Sequence, residues 1–166
     1  MSHDPLDTII GTGSDAAVMR GDPQRAAKHL SAGDKFRAAG ERGEAIVEYR
    51  QAVTADPSNV DALFRLAFEL DLAGEEDEAI SLYERCVSRI PAPMNALLNL
   101  AVLYEDRGDY VRAEKCLRQV LDTNPNHERA RLFMKDVQAS RGMSFDEEAD
   151  RDVAKRNAML ATPVTD

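Results

Sequence analysis

Glycine and proline each recur in this chain of 166 residues at one fixed interval of 34 residues. A period of this size is typical of solenoids, in which each repeated unit packs mainly on its neighbours. It argues against a domain built around one central core. The recurring positions are Gly40, Gly74 and Gly108, together with Pro57, Pro91 and Pro125.

Each unit between these markers is predicted to form two amphipathic helices. Leu63, Leu66 and Leu70 follow the period of 3.6 residues per turn and place an apolar stripe on one face of a first helix. The glycine ends that helix, because glycine adopts the left-handed backbone conformation without steric cost. A second helix follows and ends before the proline, since the residue that precedes a proline disfavours helix.

The period extends outward in both directions and divides the chain into three parts. Residues 1–13 are predicted to be a flexible leader, residues 14–142 a solenoid, and residues 143–166 an acidic tail with a helix over about 146–160. The boundary at Gly142 follows Gly108 by one further period. The solenoid comprises a half repeat (14–25), three full repeats (26–59, 60–93 and 94–127) and a capping helix (128–141).

Polar side chains occupy the expected core stripe of the capping helix. Arg131, Lys135 and Gln138 stand where the earlier units have apolar or small residues. This helix is therefore expected to be a solvated cap, which the terminal repeats of a solenoid need. His127 is expected to help start it.

The acidic composition limits the classes of partner. A net charge of −9 disfavours both a phosphate-binding surface for nucleic acid and docking to anionic lipid. No apolar segment approaches the ~20 residues that cross a bilayer, and no secretory signal is visible, so a cytoplasmic protein is predicted. Cys86 and Cys116 fall at positions expected to be buried and are predicted to be packed, reduced thiols.

Residue types that carry catalysis or bind metals are not grouped in this sequence. The three histidines are scattered, and the segment Gly11-Thr12-Gly13 lacks the lysine of a phosphate loop. No nucleophile, base and orienting partner occur together. We therefore expect no enzymatic activity, no cofactor and no metal site.

The repeat pattern resembles that of the tetratricopeptide repeat family. The family signature has a large residue, then Leu and Gly or Ala, then Tyr in the first helix, followed by Ala-x3-Phe/Tyr-x2-Ala and a final proline. All three full repeats meet it, with no Trp at the first large position and with Leu117 in place of the usual aromatic residue. The resemblance implies an all-α, right-handed α-solenoid of stacked helix-turn-helix repeats with flanking capping helices, in which the first helices line a concave groove.

Partner contacts in that family usually come from the second, fifth, ninth, twelfth and thirteenth positions of each unit. Carried onto this chain, the fifth positions are Leu30, Phe64, Leu98 and Leu132, and the ninth are Asp34, Phe68, Val102 and Asp136. The groove is further expected to include Asn95, Asp61, Asp71 and Glu105. These residues predict an apolar strip with an acidic rim.

Such a groove is expected to bind a peptide or an amphipathic helix that carries Lys or Arg. The sequence thus predicts a non-catalytic protein–protein interaction scaffold with a protein or peptide partner. An alternative is that the apolar residues simply pack between neighbouring helices. The residues concerned are Phe64, Phe68, Leu98 and Val102.

One ligand class of the family is disfavoured. Members that hold the carboxyl terminus of heat-shock chaperones use Lys and Arg with Asn in the groove. Two carboxylates need a cation, and none is expected at the corresponding places in this chain. Those places hold Leu30, Asp34, Asn95 and Asn99.

The tail supports two further alternatives. Residues 160–166 are similar to the segment that leads into the carboxyl-terminal domain of the bacterial RNA polymerase alpha subunit, in which a Pro-Val-x-Asp stretch occurs. That resemblance implies a transcription-associated regulator whose repeats adapt an appended domain. The other alternative is a homo-oligomer, in which the tail helix docks in a groove.

Overall fold

The computed structural model describes residues 21–142 and residue 151. The leader, residues 14–20 of the half repeat, the tail helix and the polymerase-like segment lie outside this part of the chain, so those assignments stay predictions. The described residues form seven helices and no strand. The helices are α1 (Pro23–Ala38), α2 (Arg42–Ala55), α3 (Val60–Leu72), α4 (Glu76–Val87), α5 (Met94–Asp106), α6 (Tyr110–Thr123) and α7 (residues 128–142). The prediction of an all-α fold of helical repeats is confirmed.

Helices that follow one another in the chain make the main packing contacts. The most extensive are within the pairs α1 and α2, α3 and α4, and α5 and α6, which are the three full repeats. Smaller contacts join α2 to α3 and α4 to α5. The molecule is thus a stack in which the first helices α1, α3, α5 and α7 succeed one another. Among the described helices, none is long and apolar enough to span a bilayer.

The recurring glycines make the turn between the two helices of each full repeat. Gly40, Gly74 and Gly108 have φ values of 80°, 81° and 71°, in the left-handed region that strains other residues. After α3, the N–H of Glu75 donates to the carbonyl of Leu70 at 2.9 Å, which closes the helix end. Residue 142 is helical, so α7 extends one residue past the predicted end of the capping helix at residue 141.

The helix starts are capped by polar side chains. The carboxylate of Asp22 accepts from the N–H of Arg25 at 2.9 Å, and α1 begins with Pro23 as its first residue. Residues 23–25 therefore belong to α1, not to a preceding half repeat. As expected, His127 starts α7: its Nδ1 accepts from the N–H of Ala130 at 3.2 Å.

The core is a continuous cluster that runs from α2 to α7. Tyr49 and Tyr83 are its largest fully buried side chains, and α5 alone contributes seven buried residues. Cys86 and Cys116 are buried and unpaired, as predicted, and burial raises the pKa of both thiols to about 11. The core thus connects the repeats along the whole described stack.

Candidate functional site

A cavity of about 450 Å³ lies along α3, between α1 and the start of α5. We call it the aromatic cavity, because two phenylalanines of α3 line it. Its wall combines apolar side chains with two arginines and two carboxylates. The lining residues are Arg37, Val60, Asp61, Phe64, Arg65, Phe68, Glu69, Pro93, Met94 and Asn95.

Phe64 and Phe68 are stacked in this cavity. They are four residues apart on α3 and so share one helix face. Their ring centroids are 6.4 Å apart with an interplanar angle of 16°, and Phe64 also meets the ring of Tyr83 edge-on at 5.9 Å. Both phenylalanines are only half-buried. They therefore offer an ordered apolar surface to solvent.

The arginines of the aromatic cavity differ in their partners. Arg65 forms an ion pair with Asp34 of α1, and the Tyr49 hydroxyl donates to the same carboxylate at 2.8 Å. Burial, with this hydrogen bond, raises the pKa of Tyr49 to about 12. The guanidinium of Arg37 makes no ion pair or hydrogen bond with any residue that the structure describes. Arg37 is thus the cation that is available to a ligand.

A second cleft continues from the aromatic cavity toward the first turn. It has a volume of about 230 Å³, shares Arg37, Phe68 and Glu69 with the aromatic cavity, and ends at Gly40. The Glu69 carboxylate is 3.4 Å from Nε of Arg42 and is nearly buried. This ion pair makes Glu69 and Arg42 a link between two repeats instead of a pair of free charges.

A separate cavity of about 490 Å³ lies between α5 and α7. We call it the acidic cavity, because three carboxylates and one arginine line it. Those carboxylates make no ion pair within the described part of the chain. Its apolar wall includes Leu132, whose side chain is 63% exposed. The lining residues are Val102, Glu105, Glu128, Arg129, Leu132, Phe133 and Asp136.

Eight of the twelve expected groove residues lie in these two cavities. The aromatic cavity contains Asp61, Phe64, Phe68 and Asn95, and the acidic cavity contains Val102, Glu105, Leu132 and Asp136.

The other four expected groove residues line neither cavity. Leu98 is 6% exposed and belongs to the core, so the alternative of packing between helices is correct for this residue. Leu30 is half-buried against the core, and Asp34 is engaged by Arg65 and Tyr49. Asp71 is half-buried. Burial raises the pKa of its carboxyl above the ordinary value, and the nearby carboxylates of Glu76 and Asp106 raise it further.

Two cations that were not among the expected groove residues, Arg37 and Arg65, also line the aromatic cavity. Arg37 occupies the twelfth position of its unit, which the family pattern already marks as a contact position. Arg65 has no such signal, because its role depends on a partner 31 residues earlier in the chain. The rim is accordingly mixed in charge at the α1 end. At the α7 end, the acidic cavity adjoins a cleft that shares Glu128 and Leu132 with it and is also lined by Arg131 and Lys135.

Comparisons with known proteins agree with this architecture. One family model, described as "Tetratricopeptide repeat", matches residues 72–137, and another, described as "TPR repeat", matches residues 33–68. A comparison with curated protein sequences gives no significant match.

Solved structures of similar shape include three with high coverage of this chain. The first TPR of Spaghetti (RPAP3), bound to the HSP90 peptide SRMEEVD, has a TM-score of 0.67 at 21% identity, covering 74% of this chain and 97% of its own. A tetratricopeptide repeat protein from Parabacteroides merdae has a TM-score of 0.68 at 25% identity, and the match covers 84% of this chain and 54% of that protein's chain. The Sgt2 TPR domain from Aspergillus fumigatus has a TM-score of 0.60 at 20% identity, and the match covers 90% of this chain and 91% of that domain.

Proposed function

Because this chain is a tetratricopeptide repeat protein, we propose that it is a non-catalytic interaction scaffold that binds a peptide or an amphipathic helix along α3, α5 and α7. The observation that carries this proposal is the stacked pair Phe64 and Phe68, held half-exposed in a cavity. A similar structure, the RPAP3 domain, holds a peptide, which supports a peptide as the class of ligand.

The aromatic cavity supplies the apolar part of the binding surface. Aromatic side chains in preformed pockets dominate binding energy, because they remove a large apolar area from water with little loss of conformational freedom. Phe64 is fixed between Phe68 and Tyr83, so it needs little further ordering when a ligand binds. A bulky aliphatic or aromatic side chain of the ligand would pack here.

The acidic cavity determines the charge of the other part of the ligand. Glu105, Glu128 and Asp136 face a common space with Val102 and Leu132. Lys and Arg suit such a space, because their charged ends pair with carboxylates while their methylene stems cover apolar side chains. The preferred ligand therefore combines an apolar anchor with basic residues.

A peptide selection tests this function. Immobilised full-length protein is used to enrich phage-displayed random peptides, and the affinity of one enriched synthetic peptide is measured by fluorescence anisotropy. We expect the peptide to contain a bulky apolar residue and Lys or Arg, and Phe68→Glu to weaken its binding at least about tenfold, because the charge would be buried against the anchor.

The control variant is Val111→Glu, which makes the same type of change at an exposed apolar residue of α6 that lines neither cavity. It should bind the peptide as tightly as the wild type. Circular dichroism checks that both variants keep their helices. Equal binding of the folded Phe68→Glu variant and the wild type would refute the assignment of the groove.

A further inference from the structure

Resting on the proposed function, we infer that Glu69 is a specificity-determining residue of the aromatic cavity, where its carboxylate accepts a hydrogen bond from a tyrosine or tryptophan side chain of the ligand. The proposed function leaves the anchor of the ligand open between aliphatic and aromatic side chains. Glu69 narrows this choice to an aromatic side chain that carries a hydrogen-bond donor, because the fold leaves its carboxylate without one.

The side chain of Glu69 is nearly buried, yet it accepts no hydrogen bond from any residue that the structure describes. A carboxylate offers about four acceptor positions, and burying it without hydrogen bonds is costly. Within the described residues, no fully enclosed side-chain oxygen lacks a hydrogen bond, so the oxygens of Glu69 keep an opening. Glu69 lines both the aromatic cavity and the cleft that continues from it, and we place the opening there.

Three arginines line these two spaces, and none donates a hydrogen bond to this carboxylate. Arg65, one helical turn earlier on α3, pairs with Asp34 instead. Nε of Arg42 lies 3.4 Å from the carboxylate in an ion-pair contact, while its Nη1 donates to a main-chain carbonyl at the end of α3. The guanidinium of Arg37 makes no ion pair or hydrogen bond with a described residue. The acceptor positions are therefore left for a ligand.

The balance of charge around Glu69 favours a neutral donor over a cation. Two arginines and two carboxylates line the aromatic cavity, and the carboxylate of Glu69 is also paired with Arg42. A lysine or arginine of the ligand would gain little net attraction there and would lose its hydration. A neutral O–H or N–H loses less hydration and still forms a hydrogen bond to a charged acceptor.

The two rings of α3 determine the shape of the side chain that reaches this acceptor. Phe68 directly precedes Glu69, and Phe64 is stacked on Phe68 from one turn earlier. A planar ring suits this surface, because aromatic rings pack on one another in offset or edge-on arrangements. Tyrosine and tryptophan combine such a ring with a single donor at its edge. The cavity volume of about 450 Å³ is within the range of sites that enclose small molecules.

A ligand that lacks the donor is disfavoured by the same carboxylate. A phenylalanine or leucine that fills the cavity would close the opening at Glu69 and leave a nearly buried carboxylate without a hydrogen bond. Sites that bond a donor of the ligand reject the analogue without it, because the polar group of the site is then unpaired. Glu69 thus separates tyrosine from phenylalanine.

Matched pairs of anchor residues test the inference. The peptide enriched by the selection is resynthesised with tyrosine or phenylalanine, and with tryptophan or its sulfur analogue benzothienylalanine, at the apolar position where alanine weakens binding most. Leucine and lysine complete the series. Fluorescence anisotropy with the full-length protein measures each dissociation constant. We expect the member with the donor to bind at least about tenfold more tightly in at least one pair, and more tightly than leucine or lysine.

Glu69→Met should remove this preference, because methionine is similar in length but only a weak acceptor. Glu69→Gln keeps an acceptor oxygen and should retain part of the preference. The control variant is Arg42→Met, which breaks the ion pair between the repeats but keeps the carboxylate. It should retain the preference, whereas a merely structural role of Glu69 in joining the repeats would make the two methionine variants alike. Circular dichroism checks that all variants keep their helices.

Equal binding of the two members in both pairs, or tighter binding with leucine or lysine, overturns the inference. A preference for the donor that persists in Glu69→Met overturns it as well. In either case, a peptide whose binding still depends on Phe68 leaves the proposed function standing. If no selected peptide depends on Phe68, the proposed function and the inference are both refuted.

Discussion

At the scale of single residues, Gly33 decides how closely the two helices of the first repeat approach. A Cβ at this position would lie 2.5 Å from Cε1 of the buried Tyr49 ring. The corresponding residues of the next two units are Ala67 and Ala101, so this unit requires the smallest residue where the others accept a methyl group. The close approach also lets the Tyr49 hydroxyl reach Asp34, which in turn pairs with Arg65 of the next repeat.

We therefore expect Gly33→Ala to destabilise the protein, although alanine is the better helix former. The ring of Tyr49 is fully buried and cannot move aside freely, and overpacking of this kind costs about 1–3 kcal/mol. The matched variant Gly43→Ala has no atom within 4 Å of the new Cβ and should be neutral or stabilising by up to about 1 kcal/mol. Urea denaturation, monitored by circular dichroism, measures the free energy of unfolding of both variants. If Gly33→Ala is as stable as Gly43→Ala, the close contact does not constrain the fold.

At the scale of helices, α7 is held by a different stripe from the expected one. Ala130 and Val137 are fully buried, and Phe133 and Met134 are half-buried, so the buried stripe lies one residue before the expected positions 131, 135 and 138. The predicted exposure of those three positions is correct. The helix is thus more than a solvated cap, because it closes the core against α6.

Glu114 of α6 fixes α7 in place. Its carboxylate accepts from Gln138 at 2.9 Å and from Arg141 at 2.8 Å, and Arg118 lies 3.6 Å away. The hydrogen bond from Gln138, assisted by the two arginines, lowers the pKa of Glu114 below its ordinary value although burial opposes this. Since the folded pKa is depressed, the stabilisation is present at neutral pH and is lost as the pH falls through the folded pKa.

We expect Glu114→Gln to lower the free energy of unfolding at pH 7 by about 1–2 kcal/mol, because charge-assisted hydrogen bonds are replaced by neutral ones. The difference from the wild type should shrink in acid, where the wild-type carboxylate is protonated as well. Urea denaturation at neutral and acidic pH measures this difference in the free energy of unfolding. Asp136→Asn, an exposed change on α7 itself, is the control and should have little effect at either pH. A difference that is independent of pH would exclude the ionised carboxylate as the cause.

At the scale of the whole molecule, stability is unevenly distributed along the stack. Helix α1 contributes only Ala26 and Gly33 as buried residues, whereas α5 contributes seven and has neighbours on both sides. A unit of a repeat protein opens most easily where few of its side chains are buried. The first repeat should therefore open before the centre.

Hydrogen exchange measured by mass spectrometry tests this order. Amides of α1 should exchange at least about tenfold faster than those of α5, since opening the first repeat exposes less apolar surface. Gly33→Ala should accelerate exchange in α1 and α2 and leave α5 and α6 nearly unchanged. Uniform exchange along the stack would mean that the repeats unfold as one cooperative unit.

The sequence could predict features that lie within one repeat but not contacts that join neighbouring repeats. Spacing alone located the turns, because Gly40, Gly74 and Gly108 adopt a conformation that glycine tolerates best. Burial of a groove position depends on the neighbouring helices. The 34-residue period therefore could not predict that Phe64 is half-exposed whereas Leu98, at the same position of its unit, is buried. The reach of Arg65 to Asp34 joins two repeats, and no single unit contains that information.

The turns at Gly40, Gly74 and Gly108 also give the stack a regular spacing from one repeat to the next. Each has nearly the same φ value, and each full unit occupies the same number of residues, so the spacing of equivalent positions is set by the number of repeats between them. Under the proposed function, a ligand that contacts two repeats is then selected by its length as well as by its composition. Duplication or loss of one unit during evolution would reset that length by one step while each local contact surface stayed the same.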